Sequence, residues 1–126
     1  MYEGRGKIVG VRVLPDGKVE QSLQESGKAW GVDVTNVGTL VASPRPDGSL
    51  SGEGQGFLQT KDGEVISWRL QGVGWPTGRG LGGSFRGALF FWTASQKLAA
   101  ANKVVGVFEH EVDETGNLSA KVWEWK

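Results

Sequence analysis

The stretch Leu50–Trp75, which reads LSGEGQGFLQT, KDGE and VISWRLQGVGW in succession, limits what this chain can fold into more than any other. Two strand-like runs flank Asp62-Gly63. Asp-Gly between such runs is the strongest short-range hairpin signal, because a type I′ turn needs φ > 0 at both central residues. A two-residue turn predicts Lys61 opposite Glu64, Thr60 opposite Val65, Phe57 opposite Trp68 and Gly56 opposite Arg69. One face of the hairpin then carries Glu53, Gln55, Phe57, Gln59, Ile66, Trp68 and Leu70. The other carries Gly52, Gly54, Gly56, Leu58, Val65, Ser67, Arg69 and Gln71. The first is predicted to be the interior, because a cross-strand Phe57–Trp68 pair removes a large apolar area from water.

The same punctuation recurs along the chain. Pro15-Asp16-Gly17, Pro46-Asp47-Gly48 and Thr115-Gly116-Asn117 all belong to residue classes that turns favour. Strand-like runs cover Glu3–Leu14, Val19–Trp30, 31–46, the two arms of the central hairpin, 80–93, Lys103–Val112 and Leu118–Trp125. Gly occurs 21 times in 126 residues, where average usage predicts roughly nine. Glycine is a poor helix residue and marks bends and close approaches in sheets. The chain also has six Trp, a residue that favours strands and brings a large apolar surface. Only Ser95–Asn102 looks helical, with Thr93 and Gln96 as a capping box, three successive Ala and Asn102 as a terminator.

About eight strands joined by short turns make sequential antiparallel neighbours. The fold expected is all-β: an eight-stranded antiparallel up-and-down β-barrel, a single domain over residues 1–126, with one short helix near the C-terminus. Closing the sheet removes its exposed edges. A barrel of eight strands holds side chains or one small ligand. A β-sandwich is the competing architecture.

Bulk properties exclude several function classes. Lys+Arg and Asp+Glu number 14 each, so the net charge is zero, and neither a nucleic-acid footprint nor a polybasic membrane anchor is expected. With no Cys there is no disulfide framework, thiolate metal site or Cys nucleophile. No apolar run reaches the length of a membrane-spanning helix, and the charged, glycine-broken N-terminus lacks the apolar core of a signal peptide. The expected location is the cytoplasm. Asn117-Leu118-Ser119 fits a glycosylation acceptor, which matters only in a secreted protein.

Gly78-Arg79-Gly80-Leu81-Gly82-Gly83 matches a dinucleotide fingerprint in letters only. That pattern works where a strand passes into a helix, and here an aromatic strand-like run follows. No cofactor is expected. His110 is the single histidine, and its neighbours Glu109 and Glu111 point to the opposite face of a strand. No metal site is expected, and a lone general base at His110 is weighed against a surface or partly buried histidine.

If the interior is the Phe57 face, then Phe57, Trp68 and Phe85 form apolar walls and Glu53, Gln55 and Arg86 supply polar groups, with Glu53 near water or paired to Arg86. A core filled by side chains is the alternative. The late strands are apolar on both faces: Phe85, Leu89 and Phe91 against Ala88, Phe90 and Trp92, and Ala120 and Val122 against Trp123 and Trp125. Something should cover the second face, and a homo-oligomer contact is one expectation.

The Gly-rich hairpin GEGQGFLQTKDGEVISW and the late RGALFFWTASQKLAAANKVVGVFEHEVDETGNLSAKVWEWK together resemble the allene oxide cyclase-like barrels, a fold group that includes plant cyclases and uncharacterised bacterial families. The resemblance implies a barrel with a lumen open at one end, often in an oligomer, and carries over no catalytic residue. The function expected is binding of a small apolar or amphipathic molecule in the lumen. The alternatives are a cofactor-free isomerase or cyclase, with Glu53 as its titratable group, and a structural or oligomerisation module without ligand.

Overall fold

A computed structural model describes residues 1–126. Eight strands follow one another: β1 Tyr2–Val13, β2 Val19–Ala29, β3 Val32–Pro44, β4 Leu50–Thr60, β5 Val65–Pro76, β6 Gly83–Trp92, β7 Val105–Val112 and β8 Asn117–Glu124. Each pairs antiparallel with the next, and β1 pairs with β8 from Tyr2↔Val122 to Lys7↔Asn117. The sheet is therefore a closed barrel in up-and-down order. The seam pairs six residues of β1 with six of β8, so these stretches present no open edge.

The central hairpin differs from expectation by one residue. Asp62 keeps a negative φ and only Gly63 is left-handed, at φ 84°. Gly63 N–H donates to Thr60 O at 3.0 Å, and Thr60 N–H donates to Glu64 O at 3.0 Å. This is a type I turn followed by a left-handed glycine, the longer of the common hairpin loops. The partners become Gln59↔Val65, Phe57↔Ser67 and Gly56↔Trp68. A one-residue slip exchanges the two faces of a strand relative to its neighbour. β5 keeps Ile66, Trp68 and Leu70 inside, but β4 turns over, with Leu58 buried and Phe57 37% exposed.

The glycines of β4 follow from this. Gly56 and its partner Gly38 on β3 lie beneath the Trp68 indole, and a Cβ at Gly56 would stand 2.5 Å from Trp68 Cζ2. The glycine-rich face is interior because it makes room for a tryptophan.

No α-helix forms. Segment 94–104 crosses one end of the barrel and contains a single 3-10 turn, Ala99–Lys103, built on Ala101 N–H to Leu98 O and Val104 N–H to Ala101 O. Asn102 does not terminate a helix but closes the loop. Its Oδ1 accepts from Thr93 N–H at 2.7 Å and its Nδ2 donates to Thr93 O at 3.1 Å. The chain must return from β6 to β7 while holding Leu98 and Ala101 against the core, and a straight helix this short has little stability of its own.

At the same end, β2 and β3 are joined by Trp30-Gly31, both left-handed at φ 49° and 78°. Trp30 Nε1 donates to Glu124 Oε1 at 2.9 Å, and its ring meets Phe91 edge-on at 5.4 Å between centroids. The opposite end is filled by Ile8, Leu23, Leu81, Val112 and Leu118. The run Gly78–Gly83 forms the β5–β6 loop and enters a strand.

Candidate functional site

The lumen is built from alternate residues of every strand. Tyr2 comes from β1, Leu23 and Glu25 from β2, Asn36 and Leu40 from β3, Leu58 from β4, Trp68 and Leu70 from β5, Leu89 and Phe91 from β6, Phe108 and His110 from β7, and Ala120 and Val122 from β8. Together they enclose a cavity with about 50 Å³ open to the centre of a water-sized sphere. One water needs on the order of 10–15 Å³ of such space, so the cavity has room for a few waters or one small organic molecule. A second cavity of about 20 Å³ shares Leu40, Leu70, Phe108 and His110 with the first and continues towards Gln21, Gly52 and Phe85.

A polar network crosses the apolar lumen. Glu25, 3% exposed, is its centre. Its Oε1 accepts hydrogen bonds from Tyr2 OH at 2.8 Å and from Asn36 Nδ2 at 2.9 Å. Asn36 Oδ1 in turn accepts from Trp68 Nε1 at 2.8 Å. The register places these groups together: Glu25 pairs with Asn36 across β2 and β3, and with Gly6 on β1. Tyr2 reaches Glu25 by lying over Gly4, where a Cβ would collide with its ring.

Two buried side-chain polar atoms have no protein hydrogen-bond partner, Glu25 Oε2 and His110 Nε2. Both residues border the larger cavity, and both are more than nine-tenths buried. Buried polar atoms are nearly always paired, so two cavity-wall residues that each carry an orphan mark the place where this lumen departs from an ordinary core. Burial pushes the His110 imidazole below its usual range, against the opposing pull of Glu25 and Glu111. Burial, and then the charge of Glu25, push the Tyr2 phenol well above its usual range. At neutral pH His110 is therefore uncharged and Tyr2 is a donor. His110 lies beside Phe85, with ring centroids 6.2 Å apart. No cluster of three or more His, Cys, Asp or Glu side chains is arranged to hold a metal ion.

Of the residues expected from sequence to line a ligand site, Trp68 and Phe85 face the lumen. Phe57, Glu53 and Gln55 do not, because β4 is turned over. Phe57 sits on an outer apolar surface with Val65, Phe90 and Trp92. Glu53 and Gln55 border an outer groove with Glu20, Arg69 and Gln71, and Glu53 also touches the rim of the second cavity. Arg86 lies outside as well, paired with Glu111 at 2.9 Å and Glu109 at 3.5 Å and stacked 5.8 Å from the Trp75 ring. It makes no ion pair with Glu53, because the two are on strands that are not neighbours. The site residues that sequence reasoning passed over are Tyr2, Glu25 and Asn36. Parity was the available signal: Glu25 shares a face with Leu23, and Asn36 with Val34 and Leu40.

No protein-family profile matches the chain, and no characterised sequence relative does either. Solved structures do. A conserved protein of unknown function from Rhodopseudomonas palustris superposes with TM-score 0.80 at 14% identity, over 98% of this chain and 92% of its own. A protein of unknown function from Clostridium acetobutylicum ATCC 824 superposes with TM-score 0.81 at 13% identity, over 98% of this chain and 95% of its own. At such identities the likeness establishes the barrel fold and nothing finer.

Proposed function

We propose that this chain is an allene oxide cyclase-like barrel that binds one small amphipathic molecule in its lumen, without a cofactor and in the cytoplasm. Trp68, Phe91 and Phe108 hold the apolar part, and Glu25 and His110 meet the polar end. The observation that carries this reading is that the two residues with an unpartnered buried side-chain atom, Glu25 and His110, both border the larger cavity. Sites for small molecules have this composition, apolar walls with a few placed polar groups. The cavity limits the occupant to a compact molecule.

Filling the lumen tests the reading. Ala120 borders the cavity. In a thermal-shift and tryptophan-fluorescence screen of small alcohols, ketones and amines, wild type should be stabilised by at least one class, and Ala120→Leu should lose the response. If Ala120→Leu does not fold, Ala120→Val should weaken it. An equal response in wild type and a folded filled variant defeats the proposal.

The outer surface favours a second reading for another part of the molecule. Phe90 is 55% exposed, Trp92 64% and Trp125 72% on the β6–β8 side. Exposed aromatic groups of this extent mark contact surfaces, and self-association through them is proposed. Sedimentation velocity across a concentration series decides it, a monomer at all concentrations being the contrary result.

A further inference from the structure

We propose that the occupant of the lumen is a short aliphatic amine in its ammonium form, held by Glu25 Oε2 and surrounded by aromatic rings. The inference rests on the reading of the lumen as a binding site and narrows it to one chemical class.

Three observations lead there. The first is a charge imbalance. Glu25 is an acidic group inside the barrel, and neither cavity is bordered by a lysine or an arginine. Both contacts on Glu25 Oε1, from Tyr2 OH and Asn36 Nδ2, are donors, and the second oxygen, Oε2, is buried with no protein partner. A buried carboxylate without a cation is among the most unfavourable groups a core can hold, and a cation that meets it with good geometry relieves the cost. A carboxylate or phosphate ligand would add a second negative charge with nothing to offset it.

The second observation is the wall. The rings of Tyr2, Trp68, Phe91 and Phe108 border the same cavity. Aromatic faces are negative, and a desolvated ammonium beside them gains electrostatic attraction that a neutral group does not.

The third is His110. Its burial disfavours the imidazolium, so it brings no competing positive charge. Its unpartnered Nε2 offers an acceptor in one tautomer. A primary ammonium has three N–H donors, and two residues of the cavity wall, Glu25 and His110, each carry a buried atom without a protein partner. The small volume excludes a long chain.

The experiment compares isobutylamine, isobutanol and sodium isobutyrate, which share a branched carbon skeleton and differ in the polar end. Each is titrated into the wild-type protein at pH 7.5 and matched ionic strength, with thermal stability and tryptophan fluorescence as readouts. The expected ranking is amine first, with half-saturation at a concentration at least tenfold below that of the alcohol, and no binding of isobutyrate. Glu25→Gln should abolish the tenfold preference while the alcohol still binds, and the cavity-filled Ala120→Leu variant should bind none of them. If Glu25→Gln does not fold, the wild-type ranking decides by itself. Isobutyrate binding as well as the amine, an amine no better than the alcohol, or a preference that survives Glu25→Gln or Ala120→Leu overturns the inference. If the alcohol binds without an amine preference, the lumen remains a site and only the ligand class is wrong. If none of the three binds, the lumen reading falls too.

Discussion

Asn36 holds the lumen network together, because its amide is shared between Glu25 Oε1 and the Trp68 indole. Removing it leaves a buried indole N–H without an acceptor and takes a donor from Glu25. Glu25 Oε1 keeps its bond from Tyr2 OH, so one buried group is left unsatisfied, and Asn36→Ala should lower unfolding stability by about 1–3 kcal/mol, measured by urea denaturation. A loss under about 0.5 kcal/mol, the level of an ordinary surface substitution, contradicts the network. The titrating residues give two further predictions. His110 is depressed below the ordinary histidine value of about 6.5, so below that pH the unfolded chain takes up a proton that the folded chain does not. Stability should be insensitive to His110 above pH 6.5 and fall as pH drops below it, and His110→Leu should remove that part of the loss. Tyr2 is raised above the ordinary tyrosine value of about 10. Above pH 10 the unfolded chain releases a proton that the folded chain keeps, so stability should fall with rising pH, and less steeply in Tyr2→Phe. Profiles for these variants that run parallel to wild type count against buried, perturbed groups.

Among the elements, the β4–β5 hairpin shows both what the sequence discloses and what it hides. The existence and extent of both strands follow from alternation and from Asp62-Gly63. The facing does not, because Asp-Gly fits a two-residue turn and a longer loop with a left-handed glycine alike, and a single residue between them inverts β4. Burial of apolar area alone favours Phe57 inside β4, but Gly38 and Gly56 are interior because Trp68 lies over them. Gly56→Ala should therefore destabilise by more than about 2 kcal/mol, whereas Gly63→Ala, with no atom near its added Cβ, should cost only about 1 kcal/mol of left-handed strain. Equal costs at the two positions contradict the register. The segment 94–104 misled for another reason. Its alanines favour a helix locally, but Asn102 and Thr93 bind each other's backbone and side chain and hold the loop shut. The pocket was legible only in part. Trp68 and Phe85 announce themselves by size, while Glu25 and Asn36 look like ordinary strand polar residues until the fold brings Tyr2 of β1 and Trp68 of β5 to them.

At the level of the whole molecule, closure gives the lumen its chemistry. Tyr2 stands at the start of β1 and Val122 near the end of β8, and their pairing completes the wall around Glu25 and His110. Short turns and abundant glycine foretold that seam, and the solved barrels share it as a fold. The outer aromatic surface is a separate matter from the lumen, so Trp92→Thr should leave lumen binding intact. The most direct measurement is an NMR titration of the wild-type protein with the tightest-binding of the three isobutyl compounds. The account predicts that the Trp68 indole N–H and the amides of Tyr2, Glu25, Asn36, Phe108 and His110 shift together while those of Phe57 and Trp92 stay in place. Shifts confined to the outer residues, with the lumen set unmoved, contradict it.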